Sequence, residues 1–245
     1  MNNIYDNENF FEKYSQMNRS VNGLSGAGEW STLKPMLPGF TDKVVLDLGC
    51  GYGWHDRYAV DHGARQVIGV DMSEKMLKVA KDKTDSDKIK YLHDDITQID
   101  FDDDKFDVVI SSLALHYVKS FEDIVEKIHG YLKPDGIFIF SVEHPIFTAQ
   151  GSEEWNYDGN GQIQDFPVDN YFYEGKRETD FLDEKVVKYH KTLTTYLDGL
   201  LTNGFQINRV VEPMPPKNMM NIPGMKDEMR RPMMLIVSAT NKKII

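Results

Sequence analysis

The sequence predicts an α/β fold: a three-layer sandwich on a mostly parallel seven-stranded sheet whose last strand is antiparallel. From about residue 43, short β-branched runs alternate with amphipathic helical stretches, the pattern of a parallel sheet covered by helices. The first run, Val44-Val45-Leu46-Asp47-Leu48, ends in alternating glycines at Gly49, Gly51 and Gly53, the punctuation of a strand-to-helix turn at a ligand site. Only about twenty residues without a helical pattern separate the last two strand-like runs, which suits a hairpin and not a crossover.

Each element follows in chain order. In the lead, residues 1–42, the spacing of Phe10, Phe11, Tyr14 and Met17 predicts a short helix. Val44 to Leu48 is the first strand and Trp54 to His62 the helix after the glycine turn. Gln66 to Val70 is the second strand, and Ser73 caps a helix running to Lys83. Ile89 to Leu92 and Phe106 to Ser111 are strands three and four. A helix from Ser120 to Leu132 stops at the turn Lys133-Pro134-Asp135-Gly136, which launches a strand from Gly136 to Val142. Thr192 to Asn203 is a helix, Phe205 to Glu212 the sixth strand, and Met233 to Thr240 the seventh. Residues 144–190 break the alternation and are rich in aromatic and turn residues, as in a lid. One domain is expected over 1–245: a helical cover (1–42), a cofactor-binding core (43–143), a lid or substrate insertion (144–190), and a C-terminal helix and hairpin (191–245).

Composition narrows the partners. The net charge is −11, with one acidic cluster from Asp100 to Asp104 interrupted by Phe101, so the surface repels phosphate backbones and nucleic acid is not expected as a partner. The basic runs Lys185 to Lys191 and Arg230-Arg231 read as solvated faces. No signal-peptide pattern opens the sequence and no apolar run approaches membrane-spanning length, so a cytoplasmic protein without membrane contact is expected, as monomer or homodimer. Cys50 is the single cysteine and no residues show metal-ligand spacing, so neither an internal disulfide nor a metal is expected.

The glycine turn calls for a nucleoside cofactor. A dinucleotide fingerprint would read G-x-G-x-x-G, but here the third glycine comes one residue early and an acid, Asp47, precedes the loop. Asp47 opposes phosphate and can help hold an ammonium group, so the loop suits a ligand with an amino-acid tail and no pyrophosphate. Asp71 ends the second strand, where a ribose acid belongs.

These residues resemble the class I S-adenosylmethionine-dependent methyltransferases, specifically the methyltransferase type 11 group. The motifs are LDLGCGYG at Leu46 to Gly53, GVDMS at Gly69 to Ser73, HDDI at His93 to Ile96, FDVVISSLALHYV at Phe106 to Val118, and LKPDGIFIFS at Leu132 to Ser141. SVEHP and YHKTL, further on, resemble a bacterial subgroup. The resemblance implies a Rossmann-like fold and S-adenosyl-L-methionine as cofactor. It places the methionine part over Gly49, Gly51 and Gly53 with Asp47 nearby. It gives the ribose hydroxyls to Asp71, one adenine face to Met72, the adenine amino group to Asp95, and an apolar contact or backbone donor to Ile96. Ser111 would turn its carbonyl toward the sulfonium, and Tyr14 resembles a position that closes over the cofactor.

A sulfonium methyl is already activated, so the enzyme must mainly align an acceptor and exclude water; a neutral amine or hydroxyl must also lose a proton. Candidate bases are His116 after the fourth strand, His144 after the fifth, and His190 before the last helix. Methionines between Glu212 and Pro232 (Met214, Met219, Met220, Met225 and Met229) could line an adaptable apolar wall. The expected activity is methyl transfer to a small-molecule acceptor. A nicotinamide (NAD(P))-dependent oxidoreductase or a non-catalytic S-adenosylmethionine-binding protein are the alternatives.

Overall fold

In the computed structural model, which describes residues 3–243, the sheet strands are β1 (Val44–Leu48), β2 (Gln66–Asp71), β3 (Ile89–His93), β4 (Phe106–Ser112), β5 (Leu132–Glu143), β10 (Phe205–Val211) and β11 (Met234–Asn241). They form one seven-stranded sheet in the order β10-β11-β5-β4-β1-β2-β3. Neighbours among β1 to β5 run parallel, and β11 is antiparallel to both β5 and β10. Reversal of strand order between β1 and β4 opens a crevice at their carboxyl ends, the usual ligand position in such sheets.

Strand alternation divides the core. Val44, Leu46 and Leu48 pack on one face with Phe106, Phe138, Phe140 and residues of α6 (Phe121–Tyr131) and α8 (Leu193–Thr202). Val45 packs on the other with Val67, Val108, Leu33 of α3 (Trp30–Leu33) and Ala59 of α4 (Trp54–Asp61). Across β2, Ser73 caps α5 (Glu74–Asp82), its Oγ accepting from the Met76 N–H at 3.1 Å. Among the described residues no helix is long and apolar enough to cross a membrane.

Three regions differ from expectation. β5 begins at Leu132, because the Lys133–Gly136 turn loops out of a strand pairing that resumes at Ile137. The lead holds α1 (Glu8–Ser15), α2 (Asn18–Asn22) and α3 with short 3-10 turns, where a single helix was predicted. The 144–190 segment carries α7 (Pro145–Thr148) and two hairpins, β6 (Asn156–Tyr157) with β7 (Ile163–Asp165), and β8 (Gly175–Phe181) with β9 (Glu184–His190).

The lead and the second hairpin meet. Asn9 donates to Glu184 at 3.1 Å, Lys13 Nζ lies 2.8 Å from Asp183 Oδ2, and Phe10 meets Phe181 edge to face. Asp6 of the lead accepts from Ser73 Oγ at 2.7 Å and from the Lys75 N–H at 3.1 Å, fastening it to the start of α5.

Candidate active site

All three loop glycines have positive φ, at +80° for Gly49, +52° for Gly51 and +70° for Gly53, a region that disfavours L side chains. They are needed for different reasons. A Cβ on Gly49 would overlap that of Ala114, and one on Gly53 would overlap the Tyr91 hydroxyl, whereas one on Gly51 would meet nothing within 4 Å. The backbone of Gly51 therefore borders open space. A cleft of about 80 Å³ lies there, lined among others by Tyr14, Arg19, Glu29, Gly51, Trp54 and Ser112. Immediately after Ser112, Leu113 is held at φ +54°.

Asp71 organises the loop. Its Oδ2 accepts from the Gly51 N–H at 2.8 Å and its Oδ1 from the Ser73 N–H at 2.9 Å, leaving each oxygen a further lone pair. Burial raises its pKa against the pull of these two donors. Next in the chain, Met72 is 37% exposed, enough to offer a face to a ring. Asp95 accepts through one oxygen from the N–H and hydroxyl of Thr97, both at 2.8 Å, and Ile96 beside it is buried. Ser111 is buried and its hydroxyl donates to the Leu48 carbonyl at 2.8 Å. Asp47 is also buried, and neither its oxygens nor those of Asp56 have a hydrogen-bond partner. Burial, then the like charges of Asp56 and Asp71, push the Asp47 carboxyl up, favouring the protonated form.

Tyr14 on α1 meets Tyr5 edge to face at 5.3 Å and Tyr52 of the loop at 6.0 Å, so the lead reaches over the glycine turn. Arg19 on α2 is ion-paired to the buried Glu29 at 2.5 Å at the same cleft.

The three candidate histidines are buried near the ends of β4, β5 and β9. His116 is buried, its Nδ1 accepting from the Glu143 N–H at 3.4 Å, with burial lowering its pKa to about 4. A neutral ring that accepts at Nδ1 carries its proton on Nε2, which points to Glu143 Oε2 at 4.0 Å. His144 accepts from the Ile146 N–H at 3.1 Å, capping α7, while its Nε2 lies 2.9 Å from Glu212 Oε1. His190 is pinned between Thr148 Oγ1 and the Tyr171 carbonyl, both at 2.8 Å.

A profile described as "Methyltransferase domain" matches residues 46–140. A protein of Listeria monocytogenes, solved and assigned to the S-adenosylmethionine-dependent methyltransferases, is 54% identical, with a TM-score of 0.87 over 90% of this chain and 100% of that one. An S-adenosylmethionine-dependent methyltransferase of Mesorhizobium loti is 42% identical, with a TM-score of 0.82 over 89% of this chain and 100% of that one. This chain is an S-adenosylmethionine-dependent methyltransferase. An uncharacterized protein of Haemophilus influenzae is 34% identical over 96% of each chain. S-adenosyl-L-methionine is thus the methyltransferase's cofactor, and the nicotinamide alternative has no support.

The cradle fits that cofactor. Space opens over the Gly51 backbone, each Asp71 oxygen accepts one backbone N–H and keeps a further lone pair able to accept from a hydroxyl, and the Arg19 guanidinium stands at the cleft. The sequence reading missed Arg19, whose only signal was a basic residue one turn beyond the predicted lead helix. It also misjudged the two basic runs. In the first, Lys188 and Lys191 are buried, so it is no solvated face; Lys188 Nζ lies 2.7 Å from both Glu143 and Glu153. In the second, Arg231 is buried too, its guanidinium centre within 4.4 to 4.9 Å of the ring centres of Phe147, Trp155 and Phe166. Of the loop methionines, Met219 is buried while Met214 and Met229 are exposed.

Proposed function

We propose that this methyltransferase acts on a small-molecule acceptor held at the carboxyl ends of β4 and β5, beneath the lid. The observation that carries this reading is the contact between lead and lid: α1 meets the β8–β9 hairpin through Asn9, Phe10 and Lys13, roofing that side of the crevice. A roofed crevice favours an acceptor of low mass over a polymer strand, and the net charge of −11 also disfavours nucleic acid.

In this reading the methionine part of the cofactor lies over Gly49, Gly51 and Gly53, with Arg19 facing its carboxylate and Tyr14 closing above. Asp71 takes the ribose hydroxyls, Met72 and Ile96 flank adenine, Asp95 accepts from its amino group, and the Ser111 carbonyl faces the sulfonium. Asp47 supports the loop from below. When bound, the cofactor supplies an activated methyl group, and the protein aligns the acceptor and excludes water. His116 works as a neutral donor at the crevice floor. His190, with both ring nitrogens engaged, and His144, which caps α7, position the lid-bearing segments.

Incubation with tritium-labelled S-adenosylmethionine and separate low-mass, RNA and protein fractions of a cell extract tests the reading. Label is expected in the low-mass fraction. Label confined to RNA or protein would refute a small acceptor, and cofactor binding with no transfer to any fraction would favour the non-catalytic alternative.

A further inference from the structure

Two polar side chains of the lead are buried beside the glycine loop with polar atoms left unpartnered. Ser20 of α2 is 5% exposed and its hydroxyl makes no hydrogen bond, and Glu29 is 3% exposed with no partner at Oε2. Polar atoms taken out of water without a partner are costly, so each calls for an explanation. Helix capping does not supply one: Glu29 stands at the start of α3, but its side chain makes no capping bond. Its other oxygen, Oε1, accepts from Arg19 Nη2 at 2.5 Å, which leaves the guanidinium further N–H groups.

Arg19, Ser20 and Glu29 all line the cleft of about 80 Å³ at Gly49 and Gly51. Pockets for whole ligands begin at about 300 Å³, so this cleft suits one end of the cofactor. Among the described residues that line it, only Arg19 and Glu29 are charged; His55, in the same wall, is neutral, burial lowering its pKa to about 4. The two charges balance, and a group that enters without upsetting them must itself be neutral overall. Arg19 and Ser20 offer donors and Glu29 Oε2 offers an acceptor, the complement of a carboxylate beside an ammonium. Asp47, the acid that precedes the loop, lies outside this lining, and burial with the like charges of Asp56 and Asp71 favours its protonated form.

We propose that Arg19, Ser20 and Glu29 form a clamp for the zwitterionic end of S-adenosylmethionine, in which Glu29, and not Asp47, receives the ammonium. Arg19 and Ser20 donate to the carboxylate, while Glu29 keeps Oε1 on Arg19 and accepts from the ammonium through Oε2. This rests on the reading that the methionine part lies over the loop glycines. Guanidinium meets carboxylate and carboxylate meets ammonium, so no ion is left unpaired out of water. All three side chains belong to the lead, which thereby recognises the amino-acid end that separates this cofactor from other adenosine compounds.

Calorimetry on the full chain with S-adenosylhomocysteine and two analogues, one lacking the α-ammonium and one lacking the carboxylate, tests the clamp. Wild type is expected to bind each analogue at least about tenfold more weakly than S-adenosylhomocysteine. Glu29→Gln should lose about tenfold or more in S-adenosylhomocysteine affinity but nothing for the analogue without the ammonium. Ser20→Ala should lose severalfold for ligands that carry the carboxylate and nothing for the one that lacks it. Equal losses for every ligand, or no losses, would leave these residues as structural supports and overturn the proposal. If Glu29→Gln fails to fold, the wild type still decides, since binding of the deaminated analogue as tightly as S-adenosylhomocysteine would overturn the role of Glu29. Wild type indifferent to both truncations would count against the placement of the methionine part itself. Wild type that discriminates, beside variants that weaken all ligands alike, would refute the clamp alone.

Discussion

Around the glycine loop, the backbone path is set by left-handed glycines and by one carboxylate, Asp71, that accepts from N–H groups twenty residues back and two residues on, while Tyr14, Arg19 and Trp54 line the cleft beside it. Across the crevice, at the ends of β5 and β9, the groups are side chains brought together over long separations: Glu143 to Lys188, Lys188 to Glu153, Asn9 to Glu184. Local backbone geometry serves a cofactor that must always be held the same way. Side chains carried on a lid can change without disturbing the sheet, so such a region suits a ligand that differs from one enzyme to the next.

The sharpest test of the first half separates two glycines. Gly49→Ala combines left-handed strain with a clash against Ala114 and should cost about 2–5 kcal/mol of stability in urea unfolding. Gly51→Ala has the same strain but open space, so about 1 kcal/mol is expected in unfolding, with S-adenosylhomocysteine affinity falling at least about tenfold as the methyl group occupies the cradle. If Gly51→Ala bound the cofactor product normally, the open space beside that residue would not be the cofactor's.

A loss of affinity without a loss of fold is expected at Asp71. Asp71→Ala should weaken S-adenosylhomocysteine by about 1.5–3 kcal/mol, the range for hydrogen bonds to a charged group, while the protein stays folded. Calorimetry beside a thermal melt checks both. Unchanged affinity would remove the ribose role from the end of β2.

The contrast between the halves also explains what the sequence could reveal. β1 falls at Val44–Leu48 as predicted, and the other sheet strands apart from β5 lie within a residue of their predicted ends, because period-two burial and turn residues are local signals. The glycine loop was legible for the same reason: positive φ is written into residue type. Lys188 was not, since in sequence it is one member of a basic run and only the pairing of β9 with β8 and its approach to β5 turn it inward. Arg231 was hidden likewise, its aromatic partners Phe147, Trp155 and Phe166 lying more than sixty residues away. The histidines drew notice as titratable residues at strand ends, but only the fold shows that His190 has both ring nitrogens engaged and that His144 caps α7 with its Nδ1 while its Nε2 lies close to Glu212.

The smallest expected effect tests the second half by pH. Burial and then the like charge of Glu143 raise the Glu153 pKa from 4.5 to about 8, so its neutral form is the one the fold favours. Its stabilising contribution is therefore complete below pH 4.5 and is lost as pH rises through about 8. Burial would raise Glu143 too, but His116 and Lys188 outweigh it and hold its pKa below the ordinary value, so its contribution has the opposite sign and fades only in acid. Lys188 and Thr179 are the other polar groups at Glu153, and the lysine remains paired to both carboxylates. Hydrogen exchange in β8 and β9 should accordingly quicken severalfold between pH 6 and pH 9 after correction for intrinsic rates, while the β1–β4 amides stay unchanged. In Glu153→Gln, which cannot ionise, that extra quickening should disappear. If the hairpin kept its pH response in the variant, the lid would be held by contacts other than this buried bridge, and the dependence of the acceptor half on long-range charged side chains would lose its main support.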